Sequence, residues 1–256
     1  MKTQLQIAIL YICTGKYHIF WDRFHASAQK NLFPHSKRHF FVFSDATREQ
    51  IVRNNMTYIY QPKLGWPNDT LKRFHMFSKI INELQEYDYI FFFNSNIIFL
   101  EEINEDILPT QEEGLLVVQH PGFFDKVNTD FSYERSPKSM AFIPYGRGEA
   151  YVCGGINGGT ARAYIKMILK LKQAIDIDEG NGVTAVWHDE SHINKYIYIY
   201  NKYKLLSPEY AYPEGWNLPF HKKILILDKN KFGGHDFLRG NSSKYTNIPI
   251  KKILLK

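Results

Sequence analysis

Short unbroken apolar runs alternate with apolar residues at helical spacing through the first part of the chain. Leu5 to Cys13, His39 to Phe43, Thr57 to Tyr60 and Tyr89 to Phe93 read as strands. The run Tyr89 to Phe93 carries no polar residue at alternate positions, the pattern of a strand covered on both faces. Between the strands, Phe20, Phe24 and Ala28 predict a helix over about Phe20 to Lys30. A loop at Trp66-Pro67-Asn68-Asp69 leads to Thr70, the expected cap of a helix with Phe74, Phe77, Ile81 and Leu84 on its apolar face. Strand–helix–strand alternation predicts a mainly parallel sheet flanked by helices, an α/β fold. At Asn94-Ser95-Asn96 the apolar run stops, and it resumes at Ile97 to Leu100. That places a polar turn beyond the carboxyl end of a central strand, where open α/β sheets bind ligands. An ordinary polar turn explains the same residues as well.

The pattern then changes. Leu115 to Val118 is a strand leading into His120-Pro121-Gly122-Phe123. Phe124 to Ala150 is polar and aromatic, holds Tyr133-Glu134-Arg135, and is too long for a plain loop, which predicts a lid or a substrate-binding excursion. Two glycine pairs follow, Gly154-Gly155 and Gly158-Gly159, and let the backbone approach a ligand or another strand. Thr160 caps a helix whose face of Tyr164, Met167, Ile168 and Leu171 is core. Trp187-His188-Asp189-Glu190-Ser191-His192 opens the next helix, with Ile193, Tyr196, Ile197 and Tyr200 inward. Acids in a first turn complement the helix dipole without any catalytic role. A Trp beside carboxylates is also a means of holding a sugar, ring face on C–H bonds and acids on hydroxyls. His188 and His192 lie four apart but lack the Glu that follows the first His in zinc hydrolases, so a metal is not expected there.

Composition narrows the partners. The 256 residues suit one large domain or two small ones sharing a sheet. Net charge is +6, pI is near 9.0 and aromatics make up 16%, a balance that favours anionic partners and stacking. The basic residues are dispersed, so no nucleic-acid stripe is present and a phosphorylated small molecule is the simpler partner. Thr14-Gly15-Lys16-Tyr17 ends the first strand in a short glycine turn, a weak nucleotide signal. Cys13 and Cys153 are far apart, which argues against a disulfide framework and for a reducing, cytoplasmic setting. The apolar run in MKTQLQIAILYIC is far short of the ~20 residues of a membrane span and reads as the first strand rather than a signal peptide. The lysines from Lys222 to Lys252 read as a solvated tail, or more sharply as a diphosphate clamp or a membrane contact.

Six stretches together resemble glycosyltransferase family 6, which contains the blood-group A and B transferases: ICTGKY, HPGFF, YERSPKSMAFIP, YVCGGINGG, WHDESHINKY and SPEYAY. The resemblance implies a GT-A fold in a single merged domain, with a nucleotide-binding half over about residues 1–100, an acceptor half over about 101–220 and a basic tail over 221–256. It implies transfer of Gal or GalNAc from a UDP-sugar to O3 of galactose with retention. It places Ile12, Thr14 and Tyr17 around the uracil and Arg73 on the donor. Gly154 and Gly155 fall under the transferred sugar, with Cys153 beside them. His120, Ser132 and Trp187 fall at acceptor-contacting positions and Asp189 at a donor-sugar contact. Glu190 takes the place of the glutamate that attacks or stabilises the cationic centre.

Where manganese-dependent relatives have Asp-x-Asp, this chain has Asn94-Ser95-Asn96. Neutral amides are poor ligands for hard dications, so the sequence resembles the bacterial, metal-independent branch and no cofactor is expected. Protein cations then neutralise the leaving UDP, with Lys231 the first choice and Arg73 beside it. Asn94 and Asn96 remain to bond ribose or phosphate. Family members with Gly at the position of Gly155 accept GalNAc, so UDP-GalNAc is the expected donor and UDP-Gal the alternative. The expected acceptor is galactose carrying an α-1,2 fucose. A catalytically silent sugar- or nucleotide-binding protein is the competing class, and the acid at Glu190 argues against it.

Overall fold

The computed structural model describes residues 4–241. Ten strands occur among them: β1 (Gln6–Ile12), β2 (Lys37–Ser44), β3 (Met56–Tyr60), β4 (Tyr89–Phe93), β5 (Ile97–Phe99), β6 (Leu115–Gln119), β7 (Val152–Thr160), β8 (Lys204–Leu206), β9 (Tyr212–Pro213) and β10 (Ile224–Ile226). Seven form the central sheet in the order β3-β2-β1-β4-β7-β6-β8. Strands β1 to β4 are parallel to one another, while β7 runs antiparallel to both β4 and β6. A smaller sheet, β5-β10-β9, sits beside it. This is a mixed, largely parallel sheet flanked by helices, the GT-A-like fold that the sequence predicts.

The unbroken apolar runs have a direct cause. In β1, Ile7, Ile9 and Tyr11 face a core that holds Trp21 and Phe24 of α1 (Trp21–Asn31). Ala8 and Leu10 face the opposite core, with Phe74 and Phe77 below them. Both faces of β1 and β4 are therefore dry, and each buried aromatic contributes on the order of 1.5–3 kcal/mol. A short helix α2 (Arg48–Ile51) links β2 to β3.

The helix expected after Thr70 is instead three short pieces: α3 (Asn68–Leu71), α4 (Arg73–Ser78) and α5 (Ile81–Leu84). Thr70 lies inside the first piece and caps nothing, because Pro67 already accepts from the amide of Leu71 at 2.9 Å. Breaks at Lys72 and Ile80 rotate successive pieces, so Leu71, Met76 and Ile80 are buried along with Phe74, Phe77 and Leu84. A single straight helix could bury only one stripe. The same breaks turn Arg73 inward to 5% exposure.

Strand β7 contains both glycine pairs, and Thr160 at its end caps α6 (Ala161–Gly180) by accepting from the amide of Ala163. Helix α7 (Asp189–Tyr200) packs on α6. Residues 124–150 form neither helix nor strand. They are nevertheless packed, with Phe131, Tyr133, Ile143 and Tyr151 making a small aromatic core.

The stretch read as a solvated tail is folded as far as residue 241. Its run Ile224–Ile226 becomes β10, paired antiparallel with β5. A turn of 3-10 helix and α8 (Gly234–Leu238) follow, and Leu227, Phe232, Phe237 and Leu238 pack on Phe20. Lys251 and Lys252 lie outside the described residues. Among those described, no helix is long and apolar enough to cross a membrane.

Candidate active site

A cavity of about 230 Å³ opens at the carboxyl ends of β1 and β4. Ile12, Thr14 and Tyr17 come to it from the end of β1, and Asn94 and Ser95 from the end of β4. Its far wall is the C-terminal segment, which contributes Lys229, His235 and Arg239. The one carboxylate in the lining, Asp69, already accepts from the amide of Leu64 at 2.7 Å. Three full cations, Arg73, Lys229 and Arg239, thus face the space. Burial and the two arginines push the half-buried Lys229 ammonium down to about 8. Such crowding is unfavourable until an anion enters. The guanidinium of Arg239 lies 3.8 Å over the Trp66 ring, a cation–π contact that fixes the arginine in the cavity wall.

Lys231, expected to be the diphosphate cation, does not line this cavity. It pairs with Glu214 at 2.7 Å in an exposed position, while Lys229, two residues earlier, points inward. The 3-10 turn explains the exchange, because it puts neighbouring lysines on different sides. Asn96 is also elsewhere: it is 2% exposed and donates from Nδ2 to the carbonyl of Leu227 at 2.7 Å. It fastens the C-terminal segment to the turn, while Asn94 alone of the two lines the cavity.

Next to the cavity a chain of contacts runs through the peptide of Gly154. Arg73 donates from Nη1 to its carbonyl at 2.5 Å, and its amide donates to Oε2 of Glu190 at 2.7 Å. The Tyr151 hydroxyl donates to Oε1 of Glu190 at 2.9 Å. Both oxygens of Glu190 are therefore fixed. Arg73 Nε also meets Oδ2 of Asp189 at 2.9 Å in a pair with almost no solvent contact. Both Asp189 oxygens are buried without a hydrogen-bond partner, so the contact with Arg73 Nε is an ion pair rather than a hydrogen bond, and it leaves acceptors that a ligand hydroxyl would satisfy. Burial pushes the Asp189 carboxyl up to about 7, against the opposing pull of Arg73.

The two glycine pairs serve different neighbours. A Cβ on Gly155 would come 2.8 Å from Nδ2 of Asn94, and one on Gly154 would come 3.2 Å from Cβ of Glu190. A Cβ on Gly158 would lie 2.2 Å from Phe91, and one on Gly159 would lie 2.3 Å from the carbonyl of Gly114. The first pair lets Glu190 and Asn94 pack close against the strand, and the second admits neighbouring strands. Cys153 is buried beside the first pair, its thiol pushed up to about 12 by burial.

On the far side of Glu190, His120 accepts from the amide of Gly122 at 3.0 Å through Nδ1 and packs edge-on against Tyr151. Burial lowers the His120 pKa, opposed by the charge of Glu190. Ser132 is half-buried between Phe131 and Tyr133 of the aromatic core that carries Tyr151. Trp187 is 49% exposed just before α7. His188 and His192 part company: the first meets Trp66, and the second is buried 3.5 Å from Asp178. Among the described residues no three His, Cys, Asp or Glu side chains converge on one point. The Asn94-Ser95-Asn96 turn offers no anionic donor, only neutral amide and hydroxyl oxygens, a poor set for a hard dication.

Arg239, Trp66 and Tyr151 were not expected at the site from the sequence, and Lys229 was expected there only as one of the tail lysines, behind Lys231. Nothing distinguished Lys229 or Arg239 from other basic residues, since the turn that aims them is a tertiary product. Tyr151 stood within YVCGGINGG, next to the glycines, and only the fold shows its hydroxyl on Glu190.

A GT-A-like sheet whose carboxyl edge joins a cation-lined cavity to a carboxylate fixed on backbone is the arrangement of a glycosyltransferase acting from a nucleotide-sugar. The sequence profile of glycosyltransferase family 6 matches residues 1–232. The chain belongs to that family, and its substrates are accordingly a nucleotide-sugar donor and a glycan acceptor. It is 34% identical over 226 residues to the O-antigen biosynthesis glycosyltransferase WbnI of Escherichia coli, covering 88% of this chain and 95% of that protein. It is 30% identical over 226 residues to histo-blood group ABO system transferase 1 of Rattus norvegicus, covering 82% of this chain and 62% of that one. Globoside alpha-1,3-N-acetylgalactosaminyltransferase 1 of Gallus gallus is 27% identical over 242 residues, covering 90% and 69%.

Proposed function

We propose that the protein transfers N-acetylgalactosamine from UDP-GalNAc to O3 of a galactose bearing an α-1,2 fucose, with retention and without a divalent cation. The observation that carries the reading is Glu190, fixed by the Gly154 amide and the Tyr151 hydroxyl beside the cation-lined cavity. The uracil lies against Ile12, Thr14 and Tyr17, and the diphosphate against Arg73, Lys229 and Arg239. As the bond from C1 to the diphosphate oxygen breaks, its electron pair leaves with UDP, and these cations hold the growing negative charge. The acceptor O3 bonds to C1 and its proton passes to the departing phosphate oxygen. Glu190 stabilises the positive charge at C1 from the opposite face. Because both its oxygens already accept hydrogen bonds, charge stabilisation suits it better than covalent attack.

Asp189, whose two oxygens lack hydrogen-bond partners, takes a hydroxyl of the donor sugar. The GalNAc assignment follows the family's glycine at the position of Gly155, and the chicken relative's name is that of an N-acetylgalactosaminyltransferase. His120, Ser132 and Trp187 form the acceptor side. The test is transfer to 2'-fucosyllactose from UDP-GalNAc and UDP-Gal, each in excess EDTA and with Mn²⁺ restored. Transfer of GalNAc that survives chelation is expected. Faster transfer from UDP-Gal overturns the donor assignment, and activity that appears only with Mn²⁺ overturns the charge scheme. Glu190→Gln should lower kcat by at least about a hundredfold while UDP still binds, and an unchanged kcat removes Glu190 from the mechanism.

A further inference from the structure

Away from the site, helix α6 carries Arg162, Lys166 and Lys170 at four-residue intervals, one row along its outer side. Helix α7 lies beside it and adds Lys195. Apolar side chains stand exposed among these cations: Leu169 at 49%, Ile199 at 67% and Met140 of the excursion at 45%. Between the helices runs a groove of about 300 Å³ whose lining holds Lys166, Lys170 and Lys195 and no carboxylate.

Among the described residues none of the four cations forms a salt bridge, although their neighbours do. On the same helix Lys172 meets Asp176 at 2.8 Å, and Lys72 is paired with Glu179. Acids on α6 begin only at Asp176, and α7 has none after Glu190. One face of the two-helix layer is therefore balanced, and the other is cationic with apolar side chains in its midst. Scattered solvated lysines need no partner. Unpaired cations around exposed Leu, Ile and Met do fit one, an interface that is anionic at the surface and apolar just beneath. A second copy of the chain fits poorly, because a two-fold contact here would set the same cations against each other.

We infer that the α6–α7 face docks on an anionic phospholipid surface. Lys166, Lys170 and Lys195 meet lipid phosphates, and Ile199, Leu169 and Met140 enter the headgroup boundary. Glu190 in the first turn of α7 lies roughly 13 Å along the helix axis from Ile199, so the mouth of the site stays clear of the contact. This inference is independent of which sugar is transferred.

The test is flotation of the full chain with vesicles of phosphatidylcholine alone and of phosphatidylcholine with phosphatidylglycerol. Binding to the anionic vesicles only, weakened by salt, is expected. Each cation near such a surface is worth roughly fivefold in affinity, so Lys166→Gln/Lys170→Gln/Lys195→Gln should bind about a hundredfold more weakly. Its circular dichroism and its transfer to a soluble acceptor should be unchanged. Lys30→Gln/Lys37→Gln/Lys222→Gln removes the same charge elsewhere and should bind nearly as the parent does. An equal loss in both variants means that general charge holds the protein, which overturns the inference. So does equal binding to neutral vesicles, or no binding to anionic ones. A dimer that the first variant abolishes, without vesicle binding by the parent, assigns the face to self-association instead.

Discussion

Lys229 shows how one side chain reports on the charge scheme. Its ammonium is pushed down to about 8 by burial and by Arg239 and Arg73. In the free protein it therefore loses its proton as pH rises through about 8, and affinity for a diphosphate falls with it. A bound diphosphate favours the charged form, so kcat should hold to higher pH than kcat/KM. The sign for stability is opposite. Between about 8 and the ordinary lysine value of 10.5 the native state binds fewer protons than the unfolded chain, so stability rises with pH across that window. Lys229→Gln should weaken UDP binding by at least about tenfold and flatten its pH dependence above 8. Lys231→Gln, which breaks only the contact with Glu214, should leave both nearly as they are. Calorimetric titration of UDP at pH 7 and pH 9 distinguishes the two variants, and a steep profile surviving in Lys229→Gln would transfer the role elsewhere.

At the level of elements, strand β7 carries two glycine pairs with separate duties, and substitution separates them. In Gly158→Ala the new Cβ meets the Phe91 ring at 2.2 Å in the middle of the sheet. The ring cannot yield without disturbing a dry core, so a loss of about 1–3 kcal/mol is expected, read as a lowered Tm. In Gly155→Ala the Cβ meets only the end of the Asn94 side chain at 2.8 Å, which can turn away. That variant should keep its Tm and shift the ratio of kcat/KM toward UDP-Gal. A variant that unfolds, or one with unaltered donor preference, contradicts this division of labour. The strands β1, β2 and β4 were legible in the sequence because they are largely dry on both faces and read as apolar runs, and β3, half exposed at the edge of the sheet, through its β-branched and aromatic residues. Helix α6 was legible through its cap at Thr160 and one clean apolar stripe. The segment from Asn68 to Leu84 was not, because its breaks at Lys72 and Ile80 are imposed by the curvature of the core it covers. The carboxylates Asp189 and Glu190 and the paired glycines stood out in the sequence as candidate chemistry, whereas two of the cations that line the cavity depend on how a distant segment docks.

The whole molecule closes its cavity with residues far apart in the chain. Ile12, Thr14 and Tyr17 come from the start, Arg73 and Asn94 from the middle, and Lys229, His235 and Arg239 from the end. Two hydrogen bonds hold the last segment to the turn after β4: Asn96 Nδ2 to the carbonyl of Leu227 at 2.7 Å, and the amide of Leu227 to the carbonyl of Asn96 at 2.8 Å. Asn96 thus acts as a hinge-pin for the cationic wall. Beyond Leu227 the segment contributes Phe232, Phe237 and Leu238 to a small cluster on Phe20, separate from the two main cores and joined to the first through Tyr17. A chain ended after Leu227 therefore keeps β10 and the seven-stranded sheet and loses two of the cavity's three full cations. Charge-assisted hydrogen bonds contribute roughly 1.5–3 kcal/mol each, so affinity for UDP should fall by about two to four orders of magnitude. Far-ultraviolet circular dichroism should change little, and Tm should fall by the several degrees that exposing Phe20 implies. If the shortened chain does not fold, Lys229→Gln/Arg239→Gln in the full chain carries the same expectation for UDP with the cluster intact. Retention of full UDP affinity in both would show that the diphosphate is held by Arg73 and the strand ends alone, and the C-terminal segment would then be a cover rather than a clamp.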